Sequence, residues 1–211
     1  MKDIMLNRPR MLIGLGGRAG SGKSTAAAML RNLGCVEEPF AEPITEMARV
    51  LVRDWTGTKP TPISCLRQAS SREIMQSLGC EWGRDTIHLK RLIWHLMRRL
   101  EYREYPYVVI SDVRFPNELR FIRDNGVICV YLERTAPPDD TRAAWHRHIS
   151  EHAVRKWWFD RVVQNRDILD LRIQIEQLML DIGKRSNCMP APLFQRWLGR
   201  LCSGHSRCEP A

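Results

Sequence analysis

No apolar run in the 211-residue sequence approaches the roughly 20 residues that a membrane-spanning helix requires. We therefore expect no membrane anchor. The seven cysteines are odd in number and lack the spacing of a disulfide framework, so reduced thiols in a cytoplasm are the expected state. No internal repeat is present, which argues against a repeat architecture.

Negative charge is also scarce. The sequence has 24 acidic residues against 33 basic ones, a net charge of +9 and a pI of about 9.5. This balance suits a protein that handles phosphate-rich molecules, whether nucleotides or nucleic acid. The hydrophobic share of 44% and the charged share of 27% are ordinary for a globular chain. The length fits one domain with an appended tail, which we place at residues 1–182 and 183–211.

A glycine-rich phosphate loop, Gly-x-x-x-x-Gly-Lys-Ser, follows directly after the apolar stretch 11–16. Its glycines allow successive backbone N–H groups to point inward around an anion. Lys23 reaches the outer phosphates in this motif, and the Ser24 hydroxyl ligates magnesium. The motif predicts a polyphosphate ligand with its magnesium ion. The candidate contacts are Gly17, Arg18, Ala19, Gly20, Ser21, Gly22, Lys23, Ser24 and Thr25.

Strand-like and helix-like segments alternate along the chain. Buried strands are predicted at 11–16, 107–111 and 127–132, with shorter candidates at 35–36 and 161–163. Helices are predicted at 23–33, 41–55, 64–79, 86–100, 116–125 and 168–182. This alternation predicts an α/β fold with a parallel five-stranded sheet covered by helices on both faces. For the proline-containing tail we expect a short helix or a poorly ordered extension.

Asp112 follows the predicted strand 107–111, and ligands in open α/β sheets bind at the carboxyl ends of strands. Its carboxylate could hold magnesium or orient a nucleotide, although a turn or helix-capping aspartate is the structural alternative. Arg114 lies two residues later, where a guanidinium could bind a phosphate with two hydrogen bonds.

A second informative stretch runs from Arg72 to Arg84. Its Gln76, Glu81 and Trp82 could read and stack a base, and its two arginines could bind phosphate. A helix that ends at Gly79 and is followed by a surface tryptophan explains the same residues without any ligand. The composition of the stretch does not choose between the two.

Five segments together resemble the phage-type deoxynucleoside monophosphate kinases. They are residues 17–25, 40–43, 75–84, 111–118 and 148–151, within a similarity that spans roughly residues 11–180. The phosphate loop is shared by many families, whereas Glu-Trp-Gly-Arg and Asp-Val-Arg-Phe-Pro-Asn-Glu are far more specific. Two residues depart from what we expect in this family, Thr45 in place of a lysine and Cys80 in place of a threonine, which leaves the base preference open.

The resemblance implies a three-layer P-loop kinase fold that transfers the γ-phosphoryl group of ATP to a deoxynucleoside monophosphate, with ATP and Mg²⁺ as cofactors. Lys23 would stabilise the transferred group, and Ser24 and Asp112 would hold the metal. A helical lid at about 134–155 would close over the phosphates and exclude water, with Arg142 and Arg147, and also Arg134, as candidate contacts. The implied substrate contacts are Glu42, Arg72, Gln76, Glu81, Trp82, Arg84, Asp112 and Arg114.

Two other enzyme classes use the same loop. One is a kinase of another small metabolite, of the dephospho-coenzyme A type, and the other is a DNA-associated P-loop ATPase. A regulatory GTPase would show Asn-Lys-x-Asp, which is absent from the sequence, and a motor ATPase would place an acidic residue where Val113 stands. We expect a small nucleotide as the partner and no nucleic acid. The oligomeric state, a homodimer included, stays open.

Overall fold

The computed structural model describes residues 11–51, 71–88, 90–101, 107–125, 128–135 and 152–185. Five strands within these ranges form one sheet: β1 (Met11–Gly16), β2 (Val36–Glu37), β3 (Tyr107–Val113), β4 (Ile128–Arg134) and β5 (Arg161–Asn165). Their order is β2-β3-β1-β4-β5, and every neighbouring pair is parallel. The predicted parallel five-stranded sheet is confirmed.

Helices occupy both faces of this sheet, as the strand–helix alternation predicts. They are α1 (Lys23–Asn32), α2 (Glu42–Leu51), α3 (Ser71–Gln76), α4 (Arg91–Glu101), α5 (Pro116–Asn125) and α6 (Ile168–Arg185). A short 3₁₀ turn, Lys156–Trp158, precedes β5. None of the helices in the described part of the chain is both long and apolar enough to cross a membrane.

The alternation of side chains along β1 creates two separate cores. Met11, Ile13 and Leu15 pack on one face against α1 and α6, in a cluster that includes Leu30 and Ile175. Leu12 points to the other face and packs with residues from α4 and α5. All six residues of β1 are buried, which is the pattern of a central strand in a parallel sheet covered on both sides. The predicted three-layer arrangement follows from this division.

Gly16 is required at the end of β1 by the close approach of an aromatic ring. A Cβ atom at this position would lie 2.2 Å from Cζ of Phe159. The Phe159 ring also packs edge-on against Tyr131 of β4, with centroids 5.2 Å apart. Through this contact the residues before β5 pack against β1, the strand that precedes the phosphate loop.

The helix predicted over 64–79 does not end at Gly79. Its described part, α3, continues directly into a π-helix, Ser77–Ile87, and α4 begins at Arg91 rather than at Thr86. The wider turn is marked by the hydrogen bond from the His88 N–H to the Gly83 carbonyl, 3.2 Å long and five residues apart. A Cβ atom on Gly83 would lie 2.9 Å from the Leu78 carbonyl oxygen, so glycine suits this tight path.

Other element bounds differ from the predicted ones by a few residues. Strand β3 continues to Val113, so Asp112 lies inside the strand rather than after it, and β5 extends beyond Val163 to Asn165. The extension of β3 reflects a register shift against β1, where Val113 pairs with Gly16. The tail from residue 186 onward, residues 52–70 and the segment 136–151 lie outside the described residues.

Candidate active site

The phosphate loop has the backbone geometry that its glycines predict. Gly17, Gly20 and Gly22 have φ angles of 135°, 74° and 100°, in the region that L side chains rarely adopt. A Cβ atom would lie 2.4 Å from the Leu132 carbonyl oxygen at Gly17, and 2.4 Å from Nδ2 of Asn165 at Gly22. A side chain at either position would therefore collide with β4 or with Asn165, so this path of the loop requires glycine.

Lys23 opens α1 and lies over the loop that precedes it. Its Nζ donates hydrogen bonds to the carbonyl oxygens of Gly17 and Arg18, each 2.7 Å long. Asn165 holds the loop from the other side, since its Nδ2 donates to the Ser21 carbonyl at 3.0 Å. The ammonium group and the positive end of the α1 dipole therefore act on the same region.

A cavity of about 560 Å³ lies in front of the loop, and we call it the phosphate cavity. Its described lining residues are Ala19, Gly20, Gly22, Lys23, Ser24, Thr25, Ser111, Asp112, Arg114, Arg134, Asn165, Arg166, Asp167, Ile168 and Leu171. Four of them are cationic, Lys23, Arg114, Arg134 and Arg166, against two carboxylates. The cavity is therefore suited to a polyphosphate. It also brings together the two predicted magnesium ligands, Ser24 and Asp112.

Asp112 also has the structural role that the sequence left open. Its Oδ1 accepts the backbone N–H of Phe40, and its Oδ2 accepts that of Ala41, both at 2.8 Å. These N–H groups directly precede α2, so the carboxylate holds the start of that helix. Burial raises the pKa of Asp112, while the two backbone N–H groups and the guanidinium of Arg114 act in the opposite direction.

A second, smaller cavity of about 80 Å³ lies beside the first, and we call it the inner cavity. Its described lining residues are Phe40, Ala41, Ile44, Met75, Gln76, Gly79, Cys80, Leu92, Asp112, Arg114, Phe115 and Glu118. Most of them are apolar, as is usual for a site that receives an aromatic ring. Asp112 and Arg114 line both cavities. They form the boundary at which a ligand in one cavity would meet a ligand in the other.

Two residues of the stretch 72–84, which was predicted to contact the substrate, line the inner cavity: Gln76 and Cys80. Gln76 is buried beside it. Burial raises the pKa of the Cys80 thiol to about 11, against the opposing charges of Arg84 and Arg114. The thiol is therefore a neutral, weakly polar wall of the cavity at neutral pH.

Arg84 does not lie where a residue that binds the substrate phosphate is expected, beside one of the two cavities. Its guanidinium is buried against Glu118, with Nη1 3.5 Å from Oε1, and its Nη2 donates to Oδ1 of Asn117 at 3.2 Å. The guanidinium carbon also lies 3.5 Å from the centre of the Phe115 ring. Arg84 is absent from the described lining of both cavities. Its position indicates a structural contact behind the inner cavity.

Three other predicted contacts also lie away from the two cavities. Glu42 forms an ion pair with Arg49 at 3.6 Å, and the exposed Glu81 accepts a hydrogen bond from Ser77 at 2.6 Å. Trp82 is 43% exposed and lines an apolar groove formed by α2, the π-helix and α4. The side chain of Arg72, and the lid residues Arg142 and Arg147, lie outside the described residues.

The structure adds a group of cavity residues that sequence reasoning missed. Residues 165–168 line the phosphate cavity at the end of β5, and Ser111 does so from β3. The rule that ligands bind at the carboxyl ends of parallel strands would have indicated them. Arg134, at the end of β4, follows the same rule, and its Nη1 lies 3.5 Å from the Gly20 carbonyl oxygen.

Comparisons with known proteins show which family the chain resembles in sequence. Residues 52–175 match the family model described as deoxynucleotide monophosphate kinase. A protein of Acanthamoeba polyphaga mimivirus that has been assigned to the deoxynucleotide monophosphate kinases is 33% identical over 187 residues, which cover 78% of this chain and 94% of that protein. The crystal structure of TT1252 from Thermus thermophilus has a TM-score of 0.51 at 16% identity, with 82% of this chain and 98% of that chain covered. This last similarity concerns the fold alone.

Proposed function

Because the chain belongs to the deoxynucleotide monophosphate kinase family, we propose that it transfers the γ-phosphoryl group of ATP to a deoxynucleoside monophosphate and releases the diphosphate. The observation that carries the proposal is the pair of adjacent cavities that share Asp112 and Arg114. A phosphoryl transfer needs two nucleotides whose phosphates meet in line, and this boundary is suited to that meeting.

ATP would occupy the phosphate cavity with its phosphates in the glycine loop. The glycine geometry supports this assignment, since the Cβ atoms that Gly17 and Gly22 lack would crowd the loop. The Lys23 ammonium would move from the Gly17 and Arg18 carbonyls to the phosphates and stabilise charge on the transferred group. Arg134, which already borders this cavity, would act from the opposite side.

The Ser24 hydroxyl and the Asp112 carboxylate form a suitable donor set for Mg²⁺, which prefers oxygen ligands and often takes one carboxylate together with phosphate oxygens. Bound magnesium would neutralise charge on the phosphates. Asp112 would do this while keeping its two backbone hydrogen bonds, because each carboxylate oxygen has more than one lone pair.

Part of the deoxynucleoside monophosphate would enter the inner cavity, whose volume of about 80 Å³ is well below the roughly 300 Å³ of a typical ligand pocket. Its base would pack among the apolar residues there, and the Gln76 amide could hydrogen-bond to a base edge. Its phosphate would bind the Arg114 guanidinium at the boundary. Gln76, Asp112 and Arg114 thus remain the predicted substrate contacts with support from geometry.

The lid at about 134–155, with Arg142 and Arg147, remains part of the proposal, as does the division between residues 1–182 and the tail 183–211. The family match does not favour either alternative, a dephospho-coenzyme A type kinase or a DNA-associated ATPase. We also propose that the enzyme acts in a cytoplasm, that of the host cell for a phage-encoded chain. The three free cysteines of the described residues, Cys35, Cys80 and Cys129, are consistent with a reducing compartment.

The proposal is tested by a coupled assay of ADP release with ATP, magnesium and each of the four common deoxynucleoside monophosphates. We expect turnover with at least one of them, and loss of that turnover when a chelator removes magnesium. A protein that turns over none of the four, and hydrolyses ATP faster when DNA is added, would contradict the kinase assignment.

A further inference from the structure

A buried ion pair borders the inner cavity, which Glu118 lines and Arg84 does not. The side chains of Arg84 and Glu118 are only 8% and 3% exposed, and their closest charged atoms are 3.5 Å apart. The Arg84 guanidinium is fixed in addition by Asn117 and by the face of the Phe115 ring. A buried pair of this kind is weak evidence for stability, because desolvation offsets much of the attraction. The position of the pair beside the reaction site therefore says more about its role than its contribution to stability does.

Glu118 connects this pair to the main chain beside the active site. Its Oε2 accepts hydrogen bonds from the backbone N–H groups of Arg114 at 2.9 Å and of Phe115 at 3.0 Å. These two residues form the turn between β3 and α5. One carboxylate thus holds the turn with one oxygen and faces Arg84 with the other.

Arg114 is the residue whose placement depends on that turn. It lines both the phosphate cavity and the inner cavity, where both phosphate groups would meet. A guanidinium that binds phosphate through two hydrogen bonds must be held within a narrow range of directions. A shift of the Arg114 backbone would move the guanidinium along the boundary between the cavities.

We propose that Arg84 and Glu118 are positioning residues, which hold the backbone of Arg114 so that its guanidinium bridges the two cavities. Arg84, which lines neither cavity, acts without contacting the substrate. The proposal rests on the proposed function, since it concerns the same two-cavity site. It gives Arg84 a role different from the phosphate contact that the sequence indicates.

The Arg84 guanidinium favours the charged form of Glu118. The pKa of Glu118 is raised to about 7, chiefly by burial; the Asp112 carboxylate acts in the same direction, and the Arg114 N–H and the Arg84 guanidinium act against it. Only the deprotonated carboxylate carries the negative charge that attracts the guanidinium through Oε1 while Oε2 accepts the two backbone N–H groups. Removal of Arg84 would leave Glu118 buried without its cationic partner and loosen the turn.

Steady-state kinetics of Arg84→Met, with both substrates varied, separates positioning from general damage. Arg120→Met is the matched control, because Arg120 is an exposed arginine on α5. We expect Arg84→Met to raise KM for the deoxynucleoside monophosphate about tenfold, while KM for ATP changes less than about twofold. Arg84→Lys keeps the positive charge but not the planar guanidinium, so its KM for the deoxynucleoside monophosphate should lie between those of Arg84→Met and the unmodified enzyme. An Arg84→Met enzyme indistinguishable from Arg120→Met would overturn the proposal.

A double variant distinguishes positioning from direct contact. If Arg84 acts through Arg114, Arg84→Met should change KM less than about twofold in an Arg114→Met background. If Arg84 binds the phosphate itself, the single-variant effect should persist in that background, and this result would overturn the proposal.

Hydrogen exchange of the Arg114 and Phe115 amides gives a readout that needs no turnover. We expect both amides to exchange several-fold faster in Arg84→Met than in Arg120→Met, because their acceptor is less firmly held. Equal exchange would contradict the positioning role. Should Arg84→Met fail to fold, Arg84→Lys and Glu118→Gln provide the same comparison. Absence of turnover in the unmodified protein would count against the proposed function, whereas the exchange result tests the positioning role separately.

Discussion

The Oδ1 atom of Asp112 accepts a 2.8 Å hydrogen bond from the backbone N–H of Phe40, 72 positions earlier in the chain. Together with the bond from Oδ2 to the Ala41 N–H, it ties the end of β3 to the start of α2. The same carboxylate lines both cavities. A single residue thus joins the start of α2 to the site where magnesium and phosphate are expected.

Asp112→Asn should impair both activity and stability. Asparagine offers one oxygen in place of two, so one of the two backbone N–H groups loses its acceptor, and the negative charge for the metal is lost. We expect kcat to fall at least about 100-fold. The free energy of unfolding in urea should fall by about 1–3 kcal/mol. Asp124→Asn, at an exposed carboxylate on α5, is the control and should change neither. Near-normal turnover in Asp112→Asn would rule out a role in catalysis.

Lys23→Ala should lower turnover without unfolding the protein. The ammonium group donates hydrogen bonds to two carbonyls of the glycine loop, and its loss removes charge stabilisation from the transferred phosphoryl group. We expect kcat to decrease by about 10²–10³-fold, a typical cost of removing one such donor. Lys156→Ala, which breaks only a surface pair with Glu133, should behave like the unmodified enzyme. Comparable rates for the two variants would mean that the loop is misassigned.

Gly16→Ala should destabilise the fold by overpacking. The new methyl group would collide with the Phe159 ring, and relief requires that the ring or the strand move. We expect the free energy of unfolding to fall by about 1–3 kcal/mol. In a Phe159→Leu background the added methyl group meets a smaller side chain, so the cost of Gly16→Ala should shrink there. Equal costs in both backgrounds would show that the ring is not the obstacle.

Glu118→Gln should change the pH dependence of stability. The folded pKa of Glu118 is raised to about 7 from an ordinary value of 4.5, chiefly by burial. Ionisation of Glu118 therefore costs more free energy in the folded protein than in the unfolded chain. The stabilising contribution of the uncharged carboxyl to folding is fully present in acid and is lost as the pH rises through about 7. Glutamine carries no charge, so the stability of Glu118→Gln relative to the unmodified protein should rise from about pH 5 to about pH 8, by on the order of 3 kcal/mol. Urea titrations at several pH values measure this difference. A difference that does not vary with pH would contradict the raised pKa.

The sheet and the phosphate loop were predictable because their signals are local. The run Met11–Gly16 is apolar at every position but its glycines, and Gly17 to Ser24 match a motif whose spacing follows from backbone geometry. The position of Asp112 near a strand end was likewise enough to place it beside the loop. The register shift that draws Asp112 into β3 depends on the neighbouring strand, and the sequence carries no sign of it.

The orientation of Arg84 could not be predicted, because the residues around it form a π-helix. Pattern reasoning assumes the α-helical period, and the wider turn rotates each later side chain away from the face that this period predicts. Residues 165–168 were missed for a different reason. The predicted strand stopped at Val163, two residues before the observed end at Asn165, and the residues beyond it were not considered.

The most direct test of the central claim follows the γ-phosphoryl group itself. ATP labelled with radioactive phosphorus in the γ position is incubated with the protein, magnesium and one deoxynucleoside monophosphate at a time, and the products are separated by chromatography. We predict that the label appears in the deoxynucleoside diphosphate, with little in inorganic phosphate, and that Lys23→Ala abolishes this transfer. Label that appears only in inorganic phosphate, whichever monophosphate is supplied, would contradict the account.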